Sequence, residues 1–279
     1  SACLVGSEMC IRDSLILSCI IVPFFSPFES REQHLGEVNK GFMTVCTDSR
    51  YEGQHHVHYF GTDNLGRDLF LRAFEGGRVS LMIAFAAVFV NLIVGLIYGG
   101  ISGYIGGAVD TIMMRIVEIV NGIPYLIVVI LLMMVLPKGI FTMVVAYGIT
   151  GWTGMARLVR GQVLQLKSQE YIVAAEAMGA KSSRIIAKHL IPNALSVIII
   201  NVTLAIPSAI FTEAFLSYIG LGVPVPQPSW GVLAKGGQDV FMTYPYQLVV
   251  PAVAISLTML SFNLLGDGLR DAFDPRLRR

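Results

Sequence analysis

Long apolar runs separated by short polar stretches dominate this chain, and the runs do not alternate. Five stand out, roughly Val79–Gly103, Ile116–Leu136, Ile140–Ala156, Ala194–Ile219 and Tyr246–Gly266, with a shorter one at Leu15–Phe25. LIVVILLMMVL, at Leu126–Leu136, is apolar on every face. A membrane barrel strand would instead alternate over about 10 residues. Backbone in hydrocarbon must satisfy its own hydrogen bonds, and about 20 apolar residues cross the bilayer as a helix. The pattern therefore predicts an all-α polytopic membrane protein with about six transmembrane helices.

Composition agrees with that solvent. Of 279 residues, 54% are hydrophobic and 14% charged, against about a quarter charged in soluble domains. Net charge is +1 and decides nothing, but its distribution sets orientation. Arg157, Arg160, Lys167, Lys181, Arg184 and Lys188 crowd the stretch 157–193, and Arg270, Arg276, Arg278 and Arg279 the tail. Lys235 is the lone Lys or Arg in 220–245. Positive loops stay inside, so 157–193 and the tail are expected inside and 220–245 outside. Residues 29–78 then form an external segment, despite six Lys and Arg residues between Arg31 and Arg78. Ser1–Ser14 does not flow into the apolar run at Leu15 and is expected to be doubtful or non-native. Residues 15–28 are read as a truncated first span, and 79–279 as the membrane core.

Several features invite a chemical reading. Gly95, Gly99, Gly103 and Gly107 recur every fourth residue, a ridge on which helix backbones approach closely. It packs either within the chain or against another subunit. Pro124 and Pro207 lie within spans and should kink them. Glu118 follows Arg115 at an i, i+3 spacing, which fits an interfacial ion pair. Glu213, two turns after Pro207, either lines a passage or gate, as Pro207 would, or bonds a neighbouring helix. The stiff outer stretch PVPQPSWG carries Pro226 and Trp230. It suits either contact with an external binding protein or anchoring at the membrane interface. HHVH, His55–His58, has no carboxylate or Cys spaced to complete a metal site, so a solvated loop is expected. Cys3, Cys10, Cys19 and Cys46 form no CxxC pair. GISG at Gly100–Gly103 offers Ser102 as a nucleophile, but no later span supplies a His to activate it. No GxxxxGK[ST] occurs, so no phosphate-cradling loop of that type is present.

The polar stretch EYIVAAEAMGAKSSRIIAKHLIPN, Glu170–Asn193, reads as an amphipathic helix, a turn at Gly179 and a second helical piece, Ser182–Leu190, ended by Pro192. Asn193 is placed to cap the next span. Ile172, Ala175 and Gly179 share a face, and Ala174, Ala175 and Gly179 leave little bulk there. Lys181, Arg184 and Lys188 suit a helix resting on lipid. The small face favours docking into a protein groove instead, because interfacial anchors prefer Trp, Phe and Leu.

AAEAMGA followed by HLIPN resembles the cytoplasmic EAA signature loop of ABC importer permeases. Ala174, Ala175, Gly179, Ile191 and Pro192 match its pattern, while Val173 and His189 depart from it as the dipeptide, oligopeptide and nickel branch does. GTDNLGRDLFLRAFEGGRVSL (Gly61–Leu81), LSYIGLGVPVPQPSWG (Leu216–Gly231) and NLLGDGLRDAFDPRLRR (Asn263–Arg279) resemble the same branch and its C-type subunit.

The resemblance implies a subunit of an ATP-driven importer for peptides or similar small solutes, with nickel or another solute as the alternative. It implies a multi-pass place in the bacterial cytoplasmic (inner) membrane, within lipid, and no catalysis or cofactor on this chain. ATP would sit on two cytoplasmic ATPase subunits. The other partners would be a B-type permease subunit and an external substrate-binding protein; no nucleic acid is expected. Ala174, Ala175, Glu176, Gly179, Ala180 and Pro192 would dock the ATPase. An ion-coupled carrier or channel is the alternative from another class. Its spans would need more numerous and deeper acids than Glu118 and Glu213.

Overall fold

The computed structural model describes residues 2–48 and 56–273. His55 and the tail from residue 274, with Arg276, Arg278 and Arg279, lie outside the described residues. Helices α1 (Ala2–Phe25), α2 (Leu69–Ile105), α3 (Gly107–Gly122), α4 (Tyr125–Val135), α5 (Ile140–Thr150) and α6 (Trp152–Lys167) come first, followed by short α7 (Glu170–Ala177) and α8 (Ser182–Ile185). Then come α9 (Ile191–Tyr218), α10 (Trp230–Asp239) and α11 (Tyr246–Phe273). A two-stranded ribbon pairs β1 (Thr44–Val45) antiparallel with β2 (Val57–His58).

Three described helices are long and apolar enough to cross a membrane: Leu69–Ile105, Ser182–Tyr218 and Tyr246–Phe273. A fourth crossing results if α3 and α4, bent by 79°, count as one span. The expected run Ile116–Leu136 is broken because Pro124 forces Ile123 into extended backbone, φ −87° and ψ 120°. Ile140–Ala156 divides at Gly151 into α5 and α6. Helix α1 contains the run Leu15–Phe25 but also Glu8, Arg12 and Asp13, too polar a set for the same test. Only 44%, 39% and 22% of the best windows of the three long helices are buried within the chain. Most of their apolar surface must therefore meet lipid or another protein.

The chain divides into two compact units. One gathers Ser1–Ala84, Pro137–Met143 and Pro207–Leu265. Helix α2 begins at Leu69, ten residues before the expected Val79, because GTDNLGRD builds its start. Asp63 Oδ1 accepts from the Leu65 and Arg67 amides, both at 2.9 Å, while its Oδ2 meets Arg67 Nε at 2.7 Å. Asp68 Oδ2 accepts from Leu71 N at 2.8 Å, which caps the helix. Residues 26–48 and 56–68 fold against this start. His58 is fully buried, with Nδ1 2.9 Å from Asp68 Oδ1 and Nε2 3.1 Å from Glu37 Oε2. Burial by itself would lower its pKa, but the two carboxylates outweigh burial and raise it. The HHVH loop is thus not simply solvated, because its last histidine is a core residue. Tyr246 OH donates to Lys40 O at 2.7 Å, and Gln247 Nε2 to Asn39 Oδ1 at 2.8 Å, tying the segment to α11.

In the same unit Trp230 is 1% exposed and donates from Nε1 to Ala73 O at 2.9 Å. This corrects the expectation of Trp230 at an outer surface. Ser229 caps α10 through Val232 N, and Gly76 and Gly77 in α2 leave room for Ser229 and the indole. Pro226 is exposed. Glu213 is 2% exposed, and its Oε1 accepts from Ser217 Oγ, one turn along α9, at 2.7 Å. Helix α9 runs on through Pro207.

The other unit gathers Phe85–Leu136, Val144–Ile206 and Gly266–Arg279. Here α2 and α6 meet along the glycine ridge. A Cβ on Gly95 would stand 2.5 Å from Met155 Cβ, and one on Gly103 would stand 2.9 Å from Arg160 O. At Gly99 it would run into the Ala156 carbonyl. The ridge therefore packs within the chain. Gly107 is not part of it: it opens α3 at φ +57°, with nothing near its Cβ position. Arg115 and Glu118 form the anticipated pair at 2.5 Å, both well exposed.

Candidate functional site

The polar loop 157–193 belongs wholly to the second unit. Its first helix, α7, is short and lacks a side-chain N-cap. An isolated helix of such length is marginal, so packing must hold it. Ile172 is fully buried and Ala175 6% exposed. Ile172 joins Val159, Val163, Ile185, Leu190, Ala194 and Ile198 in one apolar cluster, against which Ala180 packs. Tyr104, near the end of α2, donates its hydroxyl to Glu176 Oε1 at 3.0 Å. Lys167, at the end of α6, donates to the Tyr104 carbonyl and lies 5.2 Å from its ring centre. The loop is thus held by α2, α6 and α9.

Which face α7 turns outward differs from the sequence expectation. Ile172 looks into the cluster, while Ala175, though 6% exposed, borders the outer hollow, so the face they share is only partly the one presented. Outward lie Tyr171 (43% exposed), Val173 (55%) and Met178 (82%), with Ala174, Glu176 and Gly179 also exposed and Ala180 half-buried. Ala175, Gly179 and Ala180 line a shallow hollow beside it, together with Tyr171, Met178, Arg184, Lys188 and His189. The surface therefore combines the small residues with an apolar and cationic rim of Tyr171, Met178, Arg184 and Lys188.

Gly179 has a conformational task of its own. Its φ is +79°, the Ala180 amide donates to Ala175 O at 3.1 Å, and the Gly179 amide donates to Glu176 O at 2.9 Å. That is a Schellman ending, which favours glycine in the left-handed position. The turn expected at Gly179 is present, but the helix boundary at Met178–Gly179 accounts for the residue without any partner.

Pro192 does not end the second piece, which corrects that expectation. After α8 the chain widens into a π-helical turn, Ile186–Leu190, with Ile191 N bonded to Ile186 O, and continues into α9. The five-residue bond moves the backbone away from the carbonyl that the Pro192 ring would otherwise strike. Asn193 is not a cap either: its Nδ2 donates back to His189 O at 2.6 Å, inside the helix. Ser182–Tyr218 is consequently one continuous 37-residue helix, joining the exposed loop to a span without a joint.

An ion pair that sequence reasoning missed closes the same end of the unit. Arg160 Nε and Nη2 donate to the two oxygens of Asp110, both at 2.5 Å, and Ser102 Oγ donates to Oδ1 at 2.5 Å. Asp110 stands in the first turn of α3, where a carboxylate also suits the helix dipole. Ser102 is thus a structural donor on the glycine ridge. The signal available was an acid in a first turn with no local cation, and its partner is 50 residues away. A double-mutant cycle of Asp110→Ala and Arg160→Ala, read by thermal unfolding in detergent, should return a coupling of about 1–3 kcal/mol. A coupling near zero would mean that the pair is not formed.

Comparison with known proteins fits this geometry. Residues 92–279 match the family described as "Binding-protein-dependent transport system inner membrane component". The oligopeptide transport system permease protein OppC of Bacillus subtilis is 50% identical over 265 residues, covering 95% of this chain and 83% of that one. The dipeptide transport system permease protein DppC of the same bacterium is 48% identical over 266 residues, covering 95% and 79%. Escherichia coli OppC is 49% identical over 221 residues, covering 79% and 73%. Among solved structures, an inward-facing MetNI methionine ABC transporter superposes with a TM-score of 0.59 at 21% identity, covering 74% of this chain and 98% of that one. The fold is that of an ABC transporter permease. This chain belongs to the family of inner membrane components of binding-protein-dependent transport systems. It is a membrane transport subunit.

Proposed function

We propose that this chain is the C-type permease subunit of an ATP-driven peptide importer. It pairs with a B-type subunit to form the passage and receives its cargo from an external substrate-binding protein. No nucleotide site is assigned to it; ATP is bound and hydrolysed by two cytoplasmic ATPase subunits. Peptides are favoured over nickel or another solute because the relatives at 48–50% identity are named for oligopeptide and dipeptide transport.

The observation that carries the coupling mechanism is the continuous helix Ser182–Tyr218. Ala174, Ala175, Glu176, Gly179, Ala180 and Pro192 belong to the lever, but in two roles. Ala175, with Ile172, seats α7 on its own unit. Ala174, Gly179 and the protruding Met178 face the ATPase groove, and methionine suits adaptable contact surfaces. When ATP closes the ATPase pair, α7 is displaced. The displacement passes through Ile172, Ile185 and Leu190 into α6 and α9, because packed cores transmit strain. Glu213 and Pro207 lie in the span that such a movement would tilt, and Pro226 remains a candidate contact for the binding protein.

Reconstitution tests the proposal. Proteoliposomes holding both permease subunits and the ATPase should hydrolyse ATP faster when peptide-loaded binding protein is added outside. Met178→Asp should abolish that stimulation while the two permease subunits still copurify. Peptide uptake at the full rate without any ATPase would overturn the reading.

A further inference from the structure

We propose that His34, Glu37 and Cys46, in the external segment, form a binding site for one divalent transition-metal ion of the zinc type. The three residues are 1%, 2% and 7% exposed. One ligand atom from each lies within 4.8 Å of the other two. Cys46 Sγ and Glu37 Oε2 are already 3.4 Å apart. Sulfur and oxygen ligands on a tetrahedral zinc, at about 2.3 and 2.1 Å from the metal, stand about 3.6 Å apart. The set of nitrogen, oxygen and sulfur is borderline-soft, which selects zinc, cobalt, nickel or copper over magnesium and calcium.

Surrounding groups orient these ligands as an outer shell does. Asp48 Oδ2 meets His34 Nδ1 at 2.9 Å, the carboxylate–histidine arrangement that directs Nε2 towards a metal. Glu37 Oε1 accepts from the Thr47 amide and, at 2.9 Å, from Thr47 Oγ1, which leaves Oε2 towards Cys46 and His58. His58 is itself held by Asp68. Phe28 stacks on His58 at 4.4 Å and packs with Cys46 and Leu71, so one wall is dry.

Charge completes the case. Glu37 and Asp68 are buried and Asp48 nearly so, whereas His58 is the group lying between Glu37 and Asp68. A cation held by Cys46 Sγ and Glu37 Oε2 would meet carboxylate charge as well as sulfur. Cys46 Sγ donates to Glu37 Oε2, so the apo site holds a thiol. Binding replaces its S–H bond with a metal–sulfur bond and releases the proton to solvent. Glu32 and Asp48, with side chains 16% and 17% exposed, mark the entrance. His34, Glu37 and Cys46 lie close in sequence, but their spacing matches no zinc motif, and only the fold turns their ligand atoms together.

Cobalt reports on this site directly. Full-length protein purified in detergent and stripped with chelator is titrated with Co²⁺ alone. About one ion per chain should bind, giving an intense thiolate-to-cobalt charge-transfer band that zinc abolishes. Cys46→Ser should remove the band and Cys10→Ser should keep it, while Asp48→Asn should weaken binding about 10- to 100-fold. No charge-transfer band in the parent protein, or an unchanged one in Cys46→Ser, overturns the proposal. Alkylation of Cys46 in the parent protein, mapped by mass spectrometry, needs no variant. Zinc should slow it at least about tenfold, and equal rates with and without zinc also overturn it.

Discussion

Gly179→Ala should reduce peptide uptake only partly, whereas Gly179→Trp should abolish it, with both proteins reaching the membrane in normal amounts. The two substitutions share one backbone penalty. At φ +79° an L-residue costs about 1–2 kcal/mol relative to glycine, which weakens the end of α7. They differ in what the side chain meets. Within this chain a Cβ at 179 has nothing within 4 Å, so the side chain leaves the backbone into open space beside the hollow. Unchanged folded yield of the tryptophan variant assigns its extra damage to a partner pressed against the turn. Equal uptake by the two variants would show that Gly179 serves the Schellman ending alone and that no protein sits against it. ATP hydrolysis measured with and without loaded binding protein would locate the loss at the coupling step.

Gly99→Ala should leave little folded protein. One methyl group is normally a small perturbation, but here it is driven into the carbonyl of Ala156 and against Val159. A flexible side chain can yield to such a clash, whereas a helix backbone cannot. Overpacking costs about 1–3 kcal/mol even where side chains can adjust, and the cost here falls at the higher end or beyond it. Separating α2 from α6 also strains the Arg160–Asp110–Ser102 network one turn along the same contact. Gly107→Ala is the control, since a Cβ there meets open space and its φ of +57° sets the only penalty. Detergent-resistant folded yield, measured by size exclusion, should fall sharply for Gly99→Ala and modestly for Gly107→Ala. Comparable yields would remove the ridge as a packing seam.

Much of the fold was legible because lipid imposes a simple rule. Apolar runs too long and too uniform for strands must be helices, and the glycine spacing at 95, 99 and 103 marked a close approach. The polar loop 157–193 was legible from its charge, and its turn from Gly179. The direction in which α7 points was not. Ile172, Ala175 and Gly179 do share a face by spacing, but spacing cannot say whether a face meets a neighbour or a partner. That depends on Val163, Ile185 and Leu190, which are apart in sequence and reach α7 only in the folded chain. Pro192 misled for a related reason. Proline breaks the regular pattern, and the π turn that rescues it needs the tertiary contacts of Ile185 and Leu190.

By itself, then, the sequence determined the solvent, the helical class and the turn at Gly179. These depend on local hydropathy and backbone freedom, which act residue by residue. Tertiary structure alone decided which groups meet across long separations. It buried Trp230 and Glu213 and joined Arg160 to Asp110. Those encounters arise because desolvated polar groups must find partners wherever the chain can supply them, and no local pattern records where that will be.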